Sequence, residues 1–227
     1  MKPRSVLVIV PARDESALIG RCLAALDAAS SRARAAHPAL RVRTIVVADR
    51  CLDATAEIAR GFEGVEVIEI DAASVGTARQ AGADYALASE RPGRAWLANT
   101  DADSEVPPGW IVDQLSLASG GADVVVGTVR PRFVDLSPAE VREWVATHVA
   151  GRPNGHVHGA NLGVRASAYL SVGGFQHLAE HEDVDLVGRL AGAGFRIAAS
   201  DRGEVLTSGR RVGRTPGGYA AYLARDR

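Results

Sequence analysis

Four apolar runs, each about a strand long, decide what this chain can fold into. They occupy residues 5–10, 41–48, 65–70 and 94–99, and a helix-length segment separates each from the next. The first is continuous (Ser5-Val6-Leu7-Val8-Ile9-Val10) and stops at Pro11. A strand that is apolar on both faces belongs inside a parallel sheet. Between the runs, Ile19, Cys22, Leu23 and Leu26 recur at helical spacing, with alanine-rich sequence to about Ala36. Residues 54–60 make a second helix with Asp53 as its N-cap, and Ser74 caps a third that runs through Leu87. Strand and helix alternating over short links predict an α/β fold, a Rossmann-like, mostly parallel sheet with helices on both faces.

The second half is less regular. A helix is expected over residues 110–117, after the Pro107-Pro108-Gly109 turn, and a strand over 123–129. Ser137-Pro138 opens a helix in which Val141, Trp144, Val145 and His148 share a face. Residues 151–159 read as loop, and a short helix over 166–170 ends at Gly173-Gly174. Val184, Leu186, Val187, Leu190 and Ala191 mark a helix closed by Gly192 or Gly194. Short strands follow over 195–199 and 205–207, then a helix over 216–223.

No repeat, low-complexity tract or linker interrupts the 227 residues, so one domain is expected. A net charge of -1 gives no long-range attraction to nucleic acid. No apolar segment reaches the roughly 18 to 20 residues that span a bilayer. The apolar run after Met1-Lys2-Pro3-Arg4 is too short for a signal-peptide core. Cys22 and Cys51 are too few for a disulfide framework, so a cytoplasmic domain is the expectation.

In sheets of this kind ligands bind outside the carboxyl ends of the strands. That rule gathers residues 11–15, 48–53, 72–76 and 101–105 around one crevice. The fourth run ends in Asn99-Thr100-Asp101-Ala102-Asp103. Side chains two apart in an extended segment point the same way, so Asp101 and Asp103 project together. Paired carboxylates repel unless a cation lies between them, and hard oxygen ligands select Mg²⁺ or Mn²⁺. Such an ion suits a phosphorylated ligand; on spacing alone, a solvated turn remains open. After the first strand comes Pro11-Ala12-Arg13-Asp14-Glu15, without glycine. This argues against a dinucleotide-binding dehydrogenase, a P-loop enzyme and most methyltransferases. An acidic turn there suits hydrogen bonding to a base or ribose.

Several stretches together resemble the family 2 glycosyltransferases of the GT-A fold, from a small soluble bacterial subgroup. They are residues 8–15, residues 46–55, Gly76-Thr77-Ala78-Arg79-Gln80-Ala81-Gly82, the Asp101-Ala102-Asp103 motif, residues 158–165, Gly173-Gly174-Phe175 and Glu182-Asp183. The resemblance implies a nucleotide-sugar-binding half over about residues 1–105 and an acceptor-binding, catalytic half over about 106–227. Pro11, Ala12, Asp14 and Glu15 would border the nucleoside, and Asp49 would accept from the base. Gly76 and Arg79 would reach the base or diphosphate, while Asp101, Ala102 and Asp103 would hold Mg²⁺ or Mn²⁺ and the diphosphate. His158, Gly159 and Asn161 would meet the acceptor. The family usually has Asn where Asp14 stands and an acidic pair where Ala48-Asp49 stands. Asp14 also suits a helix N-cap.

In inverting members the second acidic residue of a pair such as Glu182-Asp183 is the general base; a capped helix start is the alternative for this pair. Arginines at 210, 211 and 214 lie among glycines. A loop closing over the donor through Arg210 or Arg211 matches guanidinium to diphosphate, with a solvated tail equally open. His177 and His181, and His156 and His158, lack a zinc-protease motif and suit surface or acceptor-pocket roles.

The expected activity is metal-dependent, inverting transfer of a sugar from a UDP- or GDP-linked donor to an acceptor hydroxyl. A retaining transferase of the same fold would not need Asp183. A sugar-1-phosphate nucleotidyltransferase would open with a glycine-rich loop, and a catalytically silent nucleotide-sugar-binding or assembly protein would not need all four carboxylates. Neither nucleic acid nor an integral membrane segment is expected, and a homo-oligomer is left open.

Overall fold

The computed structural model describes residues 2–149, 155–178, 180–211, 213 and 219. Eight strands form one sheet among the described residues: β1 (Ser5–Ala12), β2 (Arg41–Asp49), β3 (Val65–Ile70), β4 (Ala95–Asn99), β5 (Ser104–Glu105), β6 (Val124–Pro131), β7 (Leu162–Arg165) and β8 (Ile197–Thr207). The helices are α1 (Ile19–Ala36), α2 (Thr55–Arg60), α3 (Val75–Leu87), α4 (Trp110–Ser119), α5 (Pro138–Thr147), α6 (Ala166–Ser171) and α7 (Glu182–Gly192).

The sheet runs β3-β2-β1-β4-β7-β6-β8-β5. Its first four strands are parallel, as the alternating sequence predicts. β1 shows why its sequence is apolar throughout. Val6, Val8 and Val10 pack on one face with α1 and α4 residues such as Leu23 and Ile111. Leu7 and Ile9 pack on the other with Ala78, Ala83 and Leu186 from α3 and α7. Successive side chains face opposite ways, so a strand covered on both faces has no polar position to spare.

Two short strands absent from the sequence reading shape the second half. β7 pairs antiparallel with both β4 and β6, so the segment leading into β7 lies beside the carboxyl end of β4. β5 pairs antiparallel with β8 through Ser104 and Thr207, which brings the residues after Thr207 alongside Asp103. The two strands expected over 195–199 and 205–207 are one, β8, parallel to β6 with a register shift between Gly127 and Val129.

Helix starts follow local chemistry. Ser74 caps α3 by accepting from the Thr77 N–H, and Ser137 with Glu140 forms a capping box on α5. Asp53 stands one residue before the N-cap, Ala54, yet its carboxylate still accepts the Thr55 N–H at 2.9 Å. No residue of α5 is buried, so the face shared by Val141, Trp144 and Val145 does not enter the core. The expected helix over 216–223, apart from Tyr219, and residues 151–154 and 214 lie outside the described residues.

Candidate active site

A cavity of about 560 Å³ opens at the carboxyl ends of β1, β2, β4 and β8. Pro11, Ala12, Glu15, Asp49, Arg79, Asp101, Ala102 and Asp103 line it from the first half, and His158, Gly159, Glu182, Asp183 and Arg210 from the second. The backbone around it is strained. Asp14, Arg50, Ala73 and His181, all outside glycine, adopt left-handed conformations with φ between 51° and 61°. Three of them follow β1, β2 and β3 and the fourth precedes α7, so each bends the chain where it meets the cavity.

One side of the cavity is built around Arg79, only 2% exposed on α3. Its Nη2 donates to Asp101 Oδ1 at 2.6 Å, and its Nε to Glu182 Oε1 at 3.0 Å. Burial alone would weaken the guanidinium's hold on its proton, but Asp101, Glu182 and Asp183 overcome this and raise its pKa. Burial likewise raises Glu182, against the pull of Arg79. Asp183, the first-turn neighbour of Glu182 on α7, is half-buried. Its Oδ2 accepts the Gly159 N–H at 2.6 Å and its Oδ1 the Val184 N–H at 2.8 Å. Gly159 has no room for a side chain: a Cβ there would stand 2.9 Å from Arg79 Cζ.

The other side is built around Arg210. It grips Glu15 with two hydrogen bonds, Nη1 to Oε2 at 2.9 Å and Nη2 to Oε1 at 2.5 Å. The same Nη2 lies 3.0 Å from Asp103 Oδ2. Ser104 and Thr207 hydroxyls donate to Asp103 Oδ1 at 3.3 and 3.4 Å. Burial, with Asp101 and Glu15 beside it, still pushes Asp103 up to about 6 against the opposing charge of Arg210. The carboxylates therefore carry more negative charge than the two guanidiniums offset, which is the environment that a hard cation relieves. Among the described residues no three His, Cys, Asp or Glu side chains enclose a metal site by themselves. Mg²⁺ and Mn²⁺ do not require one, since one or two carboxylates with water and ligand phosphate suffice. Asp101 and Asp103 fit such an ion.

Several expected ligand contacts are spent on the framework instead. The Asp49 carboxylate reaches the cavity wall but accepts the N–H groups of Ala72, Ala73 and Ser74, each at 2.8 Å, and so shapes the turn into α3. Asp14 does not cap α1, whose N-cap is Leu18; its Oδ1 accepts the Leu52 N–H at 2.7 Å, tying two strand-end loops together. Gly76 does not line the cavity, because a Cβ there would stand 2.6 Å from the Gln176 carbonyl oxygen; it clears space for the approach to α7.

Asn161 is a correction of the same kind. It is 2% exposed, and its Oδ1 accepts from Trp110 Nε1 at 2.8 Å. Its Nδ2 donates to Thr128 O at 2.8 Å and Gly203 O at 2.7 Å, two carbonyls left free where β6 and β8 slip register. No donor is left for an acceptor substrate. Arg211 also points elsewhere, to both oxygens of Glu140 at 2.7 Å.

His158 lines the cavity, and burial pushes it down to about 4, so it is a neutral imidazole near neutral pH. His181 also lines the cavity, whereas His177 bonds the Thr77 hydroxyl at 3.0 Å. Thr207 and Ser208 at the end of β8 were not anticipated as cavity residues. The strand-end rule points to them, since the strand expected over 205–207 ends at Thr207 as β8 does.

Residues 7–167 match the family model described as glycosyl transferase family 2. No curated protein matches the sequence. Among solved structures, a mannosyltransferase from Pyrobaculum calidifontis in complex with GDP-Man and Mn²⁺ is similar, with a TM-score of 0.69 and 18% identity. The match covers 94% of this chain and 59% of that one, so the chain spans less than two thirds of that neighbour's length. Glucosyl-3-phosphoglycerate synthase from Mycobacterium tuberculosis, in complex with Mn²⁺, UDP and phosphoglyceric acid, has a TM-score of 0.60 and 17% identity. That match covers 91% of this chain and 72% of the other. These likenesses show the GT-A fold that the family resemblance implied.

Proposed function

The chain belongs to glycosyl transferase family 2, and on that premise we propose that it moves a sugar from a nucleotide diphosphate to an acceptor hydroxyl, with inversion. The observation that carries this reading is the meeting of Asp101, Asp103, Arg210 and Asp183 on one cavity. The first three suit a donor diphosphate and its cation, and the fourth suits a base. The GDP-Man, UDP and Mn²⁺ held by the structural neighbours support a UDP- or GDP-linked donor and a divalent ion.

Asp101 and Asp103 would hold Mg²⁺ or Mn²⁺, which when bound offsets the charge that builds on the departing diphosphate. Arg210 is positioned to share that work, exchanging Glu15 and Asp103 for phosphate oxygens that match its fork. Asp183 takes the proton of the attacking hydroxyl. The bonds from the Gly159 and Val184 N–H groups fix the direction of its carboxylate. Neutral His158 beside it has a buried ring nitrogen, Nε2, with no hydrogen-bond partner among the described residues, suited to orienting an acceptor hydroxyl. With Asp183 as the base, Glu182 serves the framework through Arg79 rather than the reaction.

Asp183→Asn tests the assignment. Removing a general base costs about 10²- to 10⁴-fold in kcat. We expect that loss in sugar transfer or donor hydrolysis, with UDP or GDP binding in Mn²⁺ unchanged. Full activity in the variant would remove Asp183 as base, and a product of retained anomeric configuration would replace inversion by retention.

A further inference from the structure

The buried arginine on α3 does more than neutralise charge. Arg79 bonds two carboxylates that come from opposite parts of the chain, Asp101 after β4 and Glu182 at the first turn of α7. Asp183, adjacent to Glu182, is anchored to the Gly159 N–H. Gly159 in turn packs against the same guanidinium so closely that only glycine fits. Two elements of the acceptor half are thus referenced to one side chain of the nucleotide half. The third nitrogen, Nη1, is buried with no hydrogen-bond partner among the described residues. An arginine kept for stability alone would have its donors matched, because an unmatched buried donor costs free energy. The Phe175 ring, 5.9 Å from Cζ, closes the remaining side.

Resting on the transfer reading above, we propose that Arg79 is a positioning residue that fixes the spacing between the cation-binding carboxylate Asp101 and the base Asp183. It holds Asp101 through Nη2 and α7 through Nε, and the planar fork sets both directions at once. It does not touch the base or the diphosphate of the nucleotide, because Asp101 and Glu182 hold Nη2 and Nε and Nη1 is buried. Lysine, a point charge on a flexible stem, cannot hold two carboxylates in a fixed relation.

Arg79→Lys and Arg79→Met separate this role from its rivals. The probes are UDP and GDP for binding, and UDP-glucose and GDP-mannose for turnover, with Mn²⁺. Water or an acceptor hydroxyl attacks the anomeric carbon, its proton passes to Asp183, and the bond to the diphosphate breaks. Misplacing a reacting group by about 1 Å costs on the order of 100-fold. We expect kcat to fall about tenfold in Arg79→Lys and about 100-fold in Arg79→Met, with KM and nucleotide affinity within about threefold of the unaltered protein. Should Arg79→Met fail to fold, Arg79→Lys decides by the same split between kcat and KM. A parallel loss of UDP or GDP affinity would make Arg79 a nucleotide ligand and overturn the proposal, as would unchanged kcat in Arg79→Lys. Transfer itself is tested on the unaltered protein and Arg79 by the ratio between variants, so the two readings can fail separately.

Discussion

Two arginines hold the paired carboxylates, and they are built differently. Arg79 belongs to a helix packed on the sheet, is 2% exposed in its side chain, and bonds Asp101 and a buried glutamate. Arg210 follows the last strand, has a side chain 29% exposed, and bonds Asp103 and Glu15. Both bridge one member of the pair to a glutamate, yet only the first is hemmed in by a glycine, Gly159, and an aromatic ring. A charge locked on every side cannot follow a ligand without breaking the core around it. A half-exposed guanidinium at the mouth of the cavity can change partners, because solvent screens it during the exchange. The arrangement separates geometry, kept by Arg79, from ligand response, given to Arg210.

Gly159→Ala should break this contrast most severely. The added methyl meets Arg79 Cζ at 2.9 Å and Nε at 3.2 Å, on a guanidinium already held by two carboxylates. Overpacking of this sort costs about 1–3 kcal/mol, which is several degrees of Tm in a domain of this size. Transfer should fall with it, since the same residue's N–H anchors Asp183. Calorimetry and a turnover assay read both; an unchanged Tm would mean that the Arg79 side is not the rigid one.

Arg210→Gln should leave the fold alone and act on the ligand. A hydrogen bond to a charged group contributes about 1.5–3 kcal/mol, so UDP or GDP should bind at least about tenfold more weakly in Mn²⁺. In the unaltered protein, the same nucleotides should raise Tm only when Mg²⁺ or Mn²⁺ is present, and a chelator should abolish the shift. If Arg210→Gln lowered Tm as far as Gly159→Ala, Arg210 would be framework and the contrast would collapse.

The contrast also marks where sequence reading stops. The parallel strands, α1 and α3 were legible because local periodicity carries them; the strand-end rule then gathered Glu15, Asp101 and Asp103 at one cavity, and the family resemblance added Arg79. Asn161 looked like a ligand contact because it lies among small residues near His158. Its real partners, Trp110, Thr128 and Gly203, come from three separate segments and appear only once β6 and β8 slip register. Asp49 does reach the cavity wall, but nothing local says that a loop 23 to 25 residues on will also claim its oxygens. Glycine has two readings at Gly76, room for a ligand or room for protein, and sequence alone does not separate them. β5, two residues long, carries no periodic signal, yet its pairing places Arg210 beside Asp103.

Arg211→Gln should have the smallest effect, and it sharpens the contrast by what it leaves unmoved. Arg211 follows Arg210 directly, and a sequence reading treats the two as interchangeable ligands for phosphate. Their side chains diverge: Arg211 pairs with Glu140, whose acidity is strengthened first by hydrogen bonds from Ser137 and only then by Arg211. The Arg211 side chain is 43% exposed and absent from the cavity wall. Exposed pairs of this kind add little to stability. Tm, nucleotide affinity and turnover should all match the unaltered protein. A drop in UDP or GDP affinity comparable to that of Arg210→Gln would mean that the segment after β8 rearranges far enough on binding for Arg211 to leave Glu140. The ligand-responsive side would then extend from one guanidinium to the whole strand end.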